Sequence, residues 1–298
     1  MFPIIPANSA AAASGNDEGI FGFGASPSAT AVTNLVSNAG VVSSDVTGVG
    51  TSRGNLAACE YGGDKGIFGY GGYPFLSITN LVSNAGVVSS DVTGVGTARH
   101  ALAACGYGDD KGIFGFGRSG PDIAVTNLVS NAGVVASDTT GVGTGRKEIA
   151  ACEYGGDKGI FGYGEYAGSN TNSMTNLVSN AGVVSSDVTG VGTARKSLAA
   201  CGYGGDKGIF GYGNAGSKVS MTNLVSNAGV VSSDVTGVGT IRQLAAACEY
   251  GGDKGIFGYG GGASLFSETN LVSNAGVVAT DTAGVGTARQ GLAACSFN

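Results

Sequence analysis

Arg53–Gly96 reads RGNLAACEYGGDKGIFGYGGYPFLSITNLVSNAGVVSSDVTGVG, and this stretch recurs with little drift in six copies along the 298-residue chain. Its Ala-Ala-Cys segment falls at Cys59, Cys105, Cys152, Cys201, Cys248 and Cys295, in steps of 46, 47, 49, 47 and 47 residues. A period of about 40–50 residues belongs to propellers and solenoid arrays, in which one repeat is too small to bury its apolar face alone.

Within the stretch, residues 53–61 predict a first strand with small side chains on both faces, and Gly62-Gly63-Asp64-Lys65 supplies the chemistry of a tight hairpin turn. Residues 66–70 predict a second strand, with Phe68 and Tyr70 on one face and Ile67 on the other. After a loop, residues 78–83 predict a third strand. Asn84-Ala85-Gly86 turns the chain into a fourth, residues 87–92. Nowhere does a helical period appear.

The two ends complete one another. The chain opens on the second-strand motif, residues 16–23, and closes on the first-strand motif, residues 289–297. The expectation is therefore an all-β fold: a six-bladed β-propeller of four-stranded antiparallel blades, with N- and C-terminal strands sharing the last blade. Closure of this kind removes exposed sheet edges. The expected blades are residues 51–96, 97–143, 144–192, 193–239, 240–286, and 287–298 joined to 16–50, which together form one domain, 16–298. Residues 1–15 carry Pro3 and Pro6, no Lys or Arg, and predict an extended arm rather than a secretion signal.

Composition narrows the functional classes. Gly reaches 57 residues, yet only 5 Pro and no Gly-X-Y period exclude collagen. The net charge of −6, without a Lys/Arg cluster, argues against nucleic acid as a partner. No apolar run approaches the roughly 18–20 residues of a membrane-spanning helix, so membrane insertion is not expected. Each repeat supplies one Cys among Ala and Leu, the surroundings of a buried free thiol, and equivalent positions on a ring lie beyond the roughly 5–6 Å Cα separation of a disulfide.

In outline, Arg-x-x-Leu-Ala-Ala-Cys, a turn, Asp-Lys-Gly-Ile-Phe-Gly-Tyr-Gly, then Thr-Asn-Leu-Val-Ser resembles a Kelch repeat. The likeness covers all six copies, from about residue 16 to the end. It departs in having no Trp on the last strand, and adjacent glycines after the second strand only at places such as Gly71-Gly72 and Gly260-Gly261-Gly262. The wording is also similar to repeats of bacteriophage tail-fibre and virion structural proteins. That resemblance implies a non-enzymatic structural or adhesive component of a phage-like virion (tail fibre, baseplate or capsid-attached). Such a protein would be assembled in the host cytoplasm and carried on the extracellular particle. Its partners would be other virion proteins through residues 1–15, and a host-surface glycan or receptor through its loops. The alternative is a glycan-binding propeller lectin.

Candidate sites follow from what repeats and what does not. Arg53, Arg99, Arg146, Arg195, Arg242 and Arg289 precede each first strand. They read as structural groups paired with the equally regular Asp45, Asp91, Asp138, Asp187, Asp234 and Asp281, or else as a ring attracting an anion. Asp64 and its equivalents offer one carboxylate per hairpin turn, too few for a metal. The lone His100 reads as a surface substitution, and no acid cluster or nucleophile–base pair stands out. The expectation is thus no catalytic residue, no metal and no cofactor. Variation gathers in the loop after the second strand, where recognition on a rigid scaffold usually sits. Tyr73, Phe75, Arg118, Tyr166, Asn170, Lys218, Leu265 and Phe266 are the candidate contact residues there.

Overall fold

A computed structural model describes residues 17–298, and the expected arm at residues 1–15 lies outside the described residues. Among the described residues every regular element is a β-strand. Six three-stranded antiparallel sheets repeat along the chain, each with its second strand in the centre. In one repeat these are Ala57–Tyr61, Lys65–Gly69 and Thr79–Val82, in register from Ala57↔Gly69 to Tyr61↔Lys65. One sheet draws on both ends of the chain. Glu18–Gly22 pairs with Thr33–Val36 on one side and with the last strand, Ala293–Phe297, on the other.

The predicted fourth strand forms only in part. Residues 87–92 touch the third strand at two isolated bridges, Val82↔Val88 and Thr79↔Val92. Between them half of the ladder is kept, the Ser89 amide donating to Leu81 O at 2.8 Å, and side chains take the rest: the Leu81 amide donates to Ser89 Oγ at 2.9 Å, and Asn80 Nδ2 donates to Ser89 O at 3.0 Å and Asp91 Oδ1 at 2.9 Å. Ser and Asn compete for backbone partners in this way, which breaks a continuous strand.

Packing between sheets explains the glycine load. A Cβ on Gly69 would lie 2.6 Å from Cζ of Phe114 in the next sheet, and one on Gly66 would lie 2.4 Å from Cys295 Sγ in the preceding sheet. Hydrogen at these two positions lets adjacent sheets approach closely. The six thiols are buried and free, acting as apolar spacers, and burial pushes the Cys105 thiol far above its ordinary range.

Phe68 and Tyr70 do not share a face. Phe68 packs edge-on to Phe23 of the preceding sheet, at 5.2 Å between ring centroids, whereas Tyr70 meets Phe114 of the next at 5.1 Å. Tyr70 follows the last residue of its strand and has φ of 64°, so its side chain is turned out of the period-2 alternation. Equivalent pairs join every neighbouring couple of sheets, through to Phe21 on Tyr259 at 5.1 Å. Each contributes about 0.5–1.5 kcal/mol beyond the area it buries.

Two cycles of backbone hydrogen bonds flank the first strands. At their start, the amides of Asn55, Ala101, Glu148, Ser197, Leu244 and Gly291 each donate to the carbonyl of the equivalent residue one repeat back. The sixth bond runs from Gly291 to Leu244, while Asn55 donates to Gly291. At the hairpin end, Gly62 donates to Asp110, Gly108 to Asp157, Gly155 to Asp206, Gly204 to Asp253, Gly251 to Asp17, and Asn298 to Asp64.

Candidate functional site

The six arginines lie inside the protein rather than round an open mouth. Arg99, Arg146, Arg195, Arg242 and Arg289 are 0% exposed and Arg53 is 1%. Arg53 donates from Nε to Tyr70 O at 2.8 Å, from Nη1 to Thr51 O at 3.0 Å and from Nη2 to Asn80 Oδ1 at 2.7 Å. Its guanidinium also lies 4.3 Å over the Phe23 ring of the preceding sheet. Arg146 and Arg289 repeat all of these bonds, and stacking occurs at all six. A planar cation suits such a place because it can donate in its plane and stack through its face.

The regular aspartates approach these arginines at 3.6–4.0 Å in four repeats. Their closer partner is the threonine of the crossover segment that arrives from the preceding repeat. Thr51 donates to Asp91 from its amide at 3.1 Å and from Oγ1 at 2.6 Å, and Thr287 does the same to Asp45 across the chain ends. Although burial opposes it, the hydrogen bonds from Thr51 and Asn80, with the charge of Arg53, hold the Asp91 carboxyl below its ordinary value.

The chemically uneven part of the molecule is at the start of the first strands. The dipeptide after each arginine is a different pair in every repeat: Gly54-Asn55, His100-Ala101, Lys147-Glu148, Lys196-Ser197, Gln243-Leu244 and Gln290-Gly291. In five of the six repeats the first of the pair is bridged to the loop after the second strand, at His100↔Arg118, Lys147↔Glu165, Lys196↔Asn214, Gln243↔Gly261 and Ala25↔Gln290, and in the sixth Gly72 donates its amide to Gly54 O. Two stretches that vary separately in sequence thus form one surface. The second of each pair has left-handed backbone, with φ of 55° at Asn55, 53° at Ala101, 52° at Glu148, 54° at Ser197 and 55° at Leu244. Non-glycine residues held so cost of order 1–3 kcal/mol each, and such strain gathers at functional sites.

These five residues wall a cavity of about 270 Å³, together with His100, Lys196, Asn214 and Gln243. Beneath it lies a further space of about 70 Å³, ringed by Leu56, Leu102, Ile149, Leu198, Ala245 and Leu292. His100 is therefore no incidental surface substitution. It is half-buried, stacked on Phe75 at 4.5 Å and 16° between planes, and its pKa is lowered by burial and then by Arg118. The charged groups at the mouth compensate one another. Glu165 receives Lys147 at 2.7 Å and Lys196 at 2.5 Å, and Glu148 accepts from Ser197 Oγ at 2.5 Å with Lys196 at 3.7 Å. Burial works against it, yet the two lysines hold the Glu165 carboxyl below its ordinary value.

Of the eight loop residues expected to make contacts, none lines this cavity; they stand outside it. Tyr73 is 92% exposed and meets Phe75 edge-on at 5.9 Å. Arg118 pairs with Asp122 at 3.5 Å, and Lys218 donates to Gly262 O at 2.8 Å. Tyr166 and Asn170 pair at the end of a short extra hairpin, and Leu265 and Phe266 belong to the long third strand Leu265–Val272. Loop variability alone does not point to the cavity-lining residues; the signal for them in the sequence is the varying dipeptide after each arginine in an otherwise uniform repeat.

A second cavity, about 50 Å³, lies at the level of Cys59 and Glu60 and is lined by the equivalent residues of all six sheets. Here Glu60, Glu153 and Glu249 alternate with Gly106, Gly202 and Ser296. A Cβ on Gly106 would lie 1.6 Å from Glu153 Oε1, and one on Gly202 would lie 1.6 Å from Glu249 Oε1. Each of these two carboxylates thus occupies the space its glycine neighbour leaves. Burial first, then the other two glutamates, pushes Glu153 well above the carboxylate range; burial and Glu60 raise Glu249. Among the described residues no group of three or more His, Cys, Asp or Glu is arranged to hold a metal ion.

A scan against models of known protein families finds no match to this chain, and a search of curated proteins finds none either.

Proposed function

We propose that the six sheets close into one wheel, a six-bladed β-propeller, which acts as a rigid, non-enzymatic scaffold presenting a single uneven face to a partner. Support for closure comes from the two cycles of backbone hydrogen bonds, one returning to its starting residue Asn55 and the other to its starting hairpin turn, and from the sheet shared by the two ends of the chain. The observation that carries the function is the gathering of sequence differences at one mouth of a nearly uniform array. A scaffold under selection only for packing has no reason to vary on one side alone. The mutual pairing of the mouth's lysines and glutamates, and the stacking of His100, favour recognition over proton transfer.

On the wording of the repeat, the reading extends to a phage-like particle, with residues 1–15 attached to other particle proteins and the loops turned to the host surface. The test is binding of the purified chain to host cells and to assembled particles. Replacing Tyr73, Phe75 and Tyr166 by Ser should abolish the first, and removing residues 1–15 the second, with the thermal melt unchanged in both. Full binding by both variants would overturn the reading, as would substrate turnover sensitive to Glu148→Gln.

A further inference from the structure

We infer that the mouth cavity is a binding site for one neutral, polyhydroxylated six-membered ring, of hexose or inositol size, seated on the wheel axis. The inference rests on the closed-wheel reading and names the ligand class of its variable face.

Size sets the first limit. At about 270 Å³ the cavity lies just below the roughly 300–1,000 Å³ typical of ligand sites, so it takes one ring rather than a chain of them. Charge sets the second. The four ionic groups at the rim, Lys147, Lys196, Glu148 and Glu165, sum to zero and are already paired. A charged ligand would have to separate partners that lie 2.5–2.7 Å apart round Glu165. A neutral one leaves them in place.

The remaining hydrogen-bonding capacity is mixed. Gln243 Oε1 accepts from Asn214 Nδ2 at 2.8 Å, which orients the amide and leaves its Nε2 donors unspent. Ser197 Oγ–H donates its hydrogen bond to Glu148 Oε2, so the serine lone pairs and Glu148 Oε1 are left as acceptors. Asn55 offers both kinds. Hydroxyl groups donate and accept at once, and a ring bearing several of them can meet donors and acceptors interleaved round a wall. The floor fits the same ligand: Leu244 and Ala101, above the ring of Leu56, Leu102, Ile149 and Leu198, would meet its C–H face. The strained left-handed backbone at five lining positions aims these side chains without disturbing the hydrogen-bond cycle beneath them.

Unlike a lectin with one site in every repeat, this site is built once, because no two repeats contribute the same pair of residues. The test is calorimetric titration of the full chain with D-glucose, D-galactose, D-mannose, N-acetyl-D-glucosamine and myo-inositol, with D-glucuronate as the charged comparison. At least one neutral probe should bind at one per chain, and about tenfold more tightly than glucuronate. Glu148→Gln and Gln243→Leu should each weaken it about tenfold, the effect of losing one good hydrogen bond. Leu244→Trp should fill the cavity and abolish binding. No binding by any neutral probe, six sites per chain, tighter binding of glucuronate, or binding that survives Leu244→Trp would each overturn the inference. Small-angle scattering on the same sample separates the two levels. A compact profile with no binding rejects the site alone, whereas an elongated one rejects the wheel.

Discussion

The strand bodies and the mouth are built on the same repeat, yet they tolerate change in opposite ways. In the strand bodies every side chain is matched by the neighbouring sheet: Gly69 leaves room for the Phe114 ring, Gly66 for Cys295 Sγ, and Tyr70 lies under the Arg99 guanidinium at 4.2 Å. A change in one copy needs a matching change in the next. At the mouth, every neighbouring couple of repeats is joined through backbone amides and carbonyls, from Asn55 and Gly291 round to Leu244, while side-chain links such as Ser197 to Glu148 and Asn214 to Gln243 join only some of them. The backbone bonds are indifferent to the side chain above them, so Asn, Ala, Glu, Ser, Leu and Gly all serve. The carboxylate level is intermediate, since there a glutamate on one sheet goes with a residue no larger than Gly on the sheet before it, at Gly106 and Gly202. Uniformity in this chain marks side-chain complementarity, and variety marks joints made by the backbone.

The contrast can be broken most forcefully in the strands. Gly69→Val would put a Cβ 2.6 Å from a buried ring that is itself wedged between sheets. Overpacking and repacking there should destabilise the chain by about 3 kcal/mol or more, read as a large fall in the denaturation midpoint or as loss of soluble protein. A variant as stable as the parent would show that the sheets are not close-packed at this point.

A smaller effect is expected at the carboxylate level, and it should depend on pH. The Glu249 pKa is raised on folding by burial and then Glu60, so the folded chain holds its proton more tightly than the unfolded chain does. The associated stability is fully present below the ordinary carboxylate range and is lost as pH rises through that range toward the raised value. Glu249→Gln removes the titrating group and should reduce the fall in melting temperature as pH rises from the carboxylate range to about 8 by about 2–4 °C. An identical pH profile for the two proteins would dismiss the crowded carboxylates as a source of instability.

The smallest effect belongs to the mouth. Gln290→Ala leaves the backbone exchange with Ala25 intact and should change stability by less than about 0.5 kcal/mol. A cost comparable to that of Gly69→Val would mean that the mouth is held by side chains after all.

The repeat, its three reliable strands and the reunion of the chain ends in one sheet were legible in the sequence because each is a matter of local pattern. Alternation, turn chemistry and a motif divided between residues 16–23 and 289–297 need no knowledge of what packs where. The fourth strand was less legible, since Ser89 and Asn80 replace part of its ladder with side-chain bonds that no alternation records. The face of Tyr70 was not legible for a related reason: one left-handed residue at the end of a strand cancels the period of two. At the candidate site, variable loops were visible as variable, but the dipeptides after each arginine became part of the same surface only through bridges such as His100↔Arg118 and Lys196↔Asn214.

By itself, then, the sequence determined that this is an all-β chain of near-identical units, because alternation and period depend only on neighbours along the backbone. The tertiary structure alone decided that the arginines are buried and stacked, that His100 and Glu148 look into one cavity, and that Glu60, Glu153 and Glu249 share another. These relations join residues about 30 to 190 positions apart, and which of them meet depends on how one sheet lies against the next.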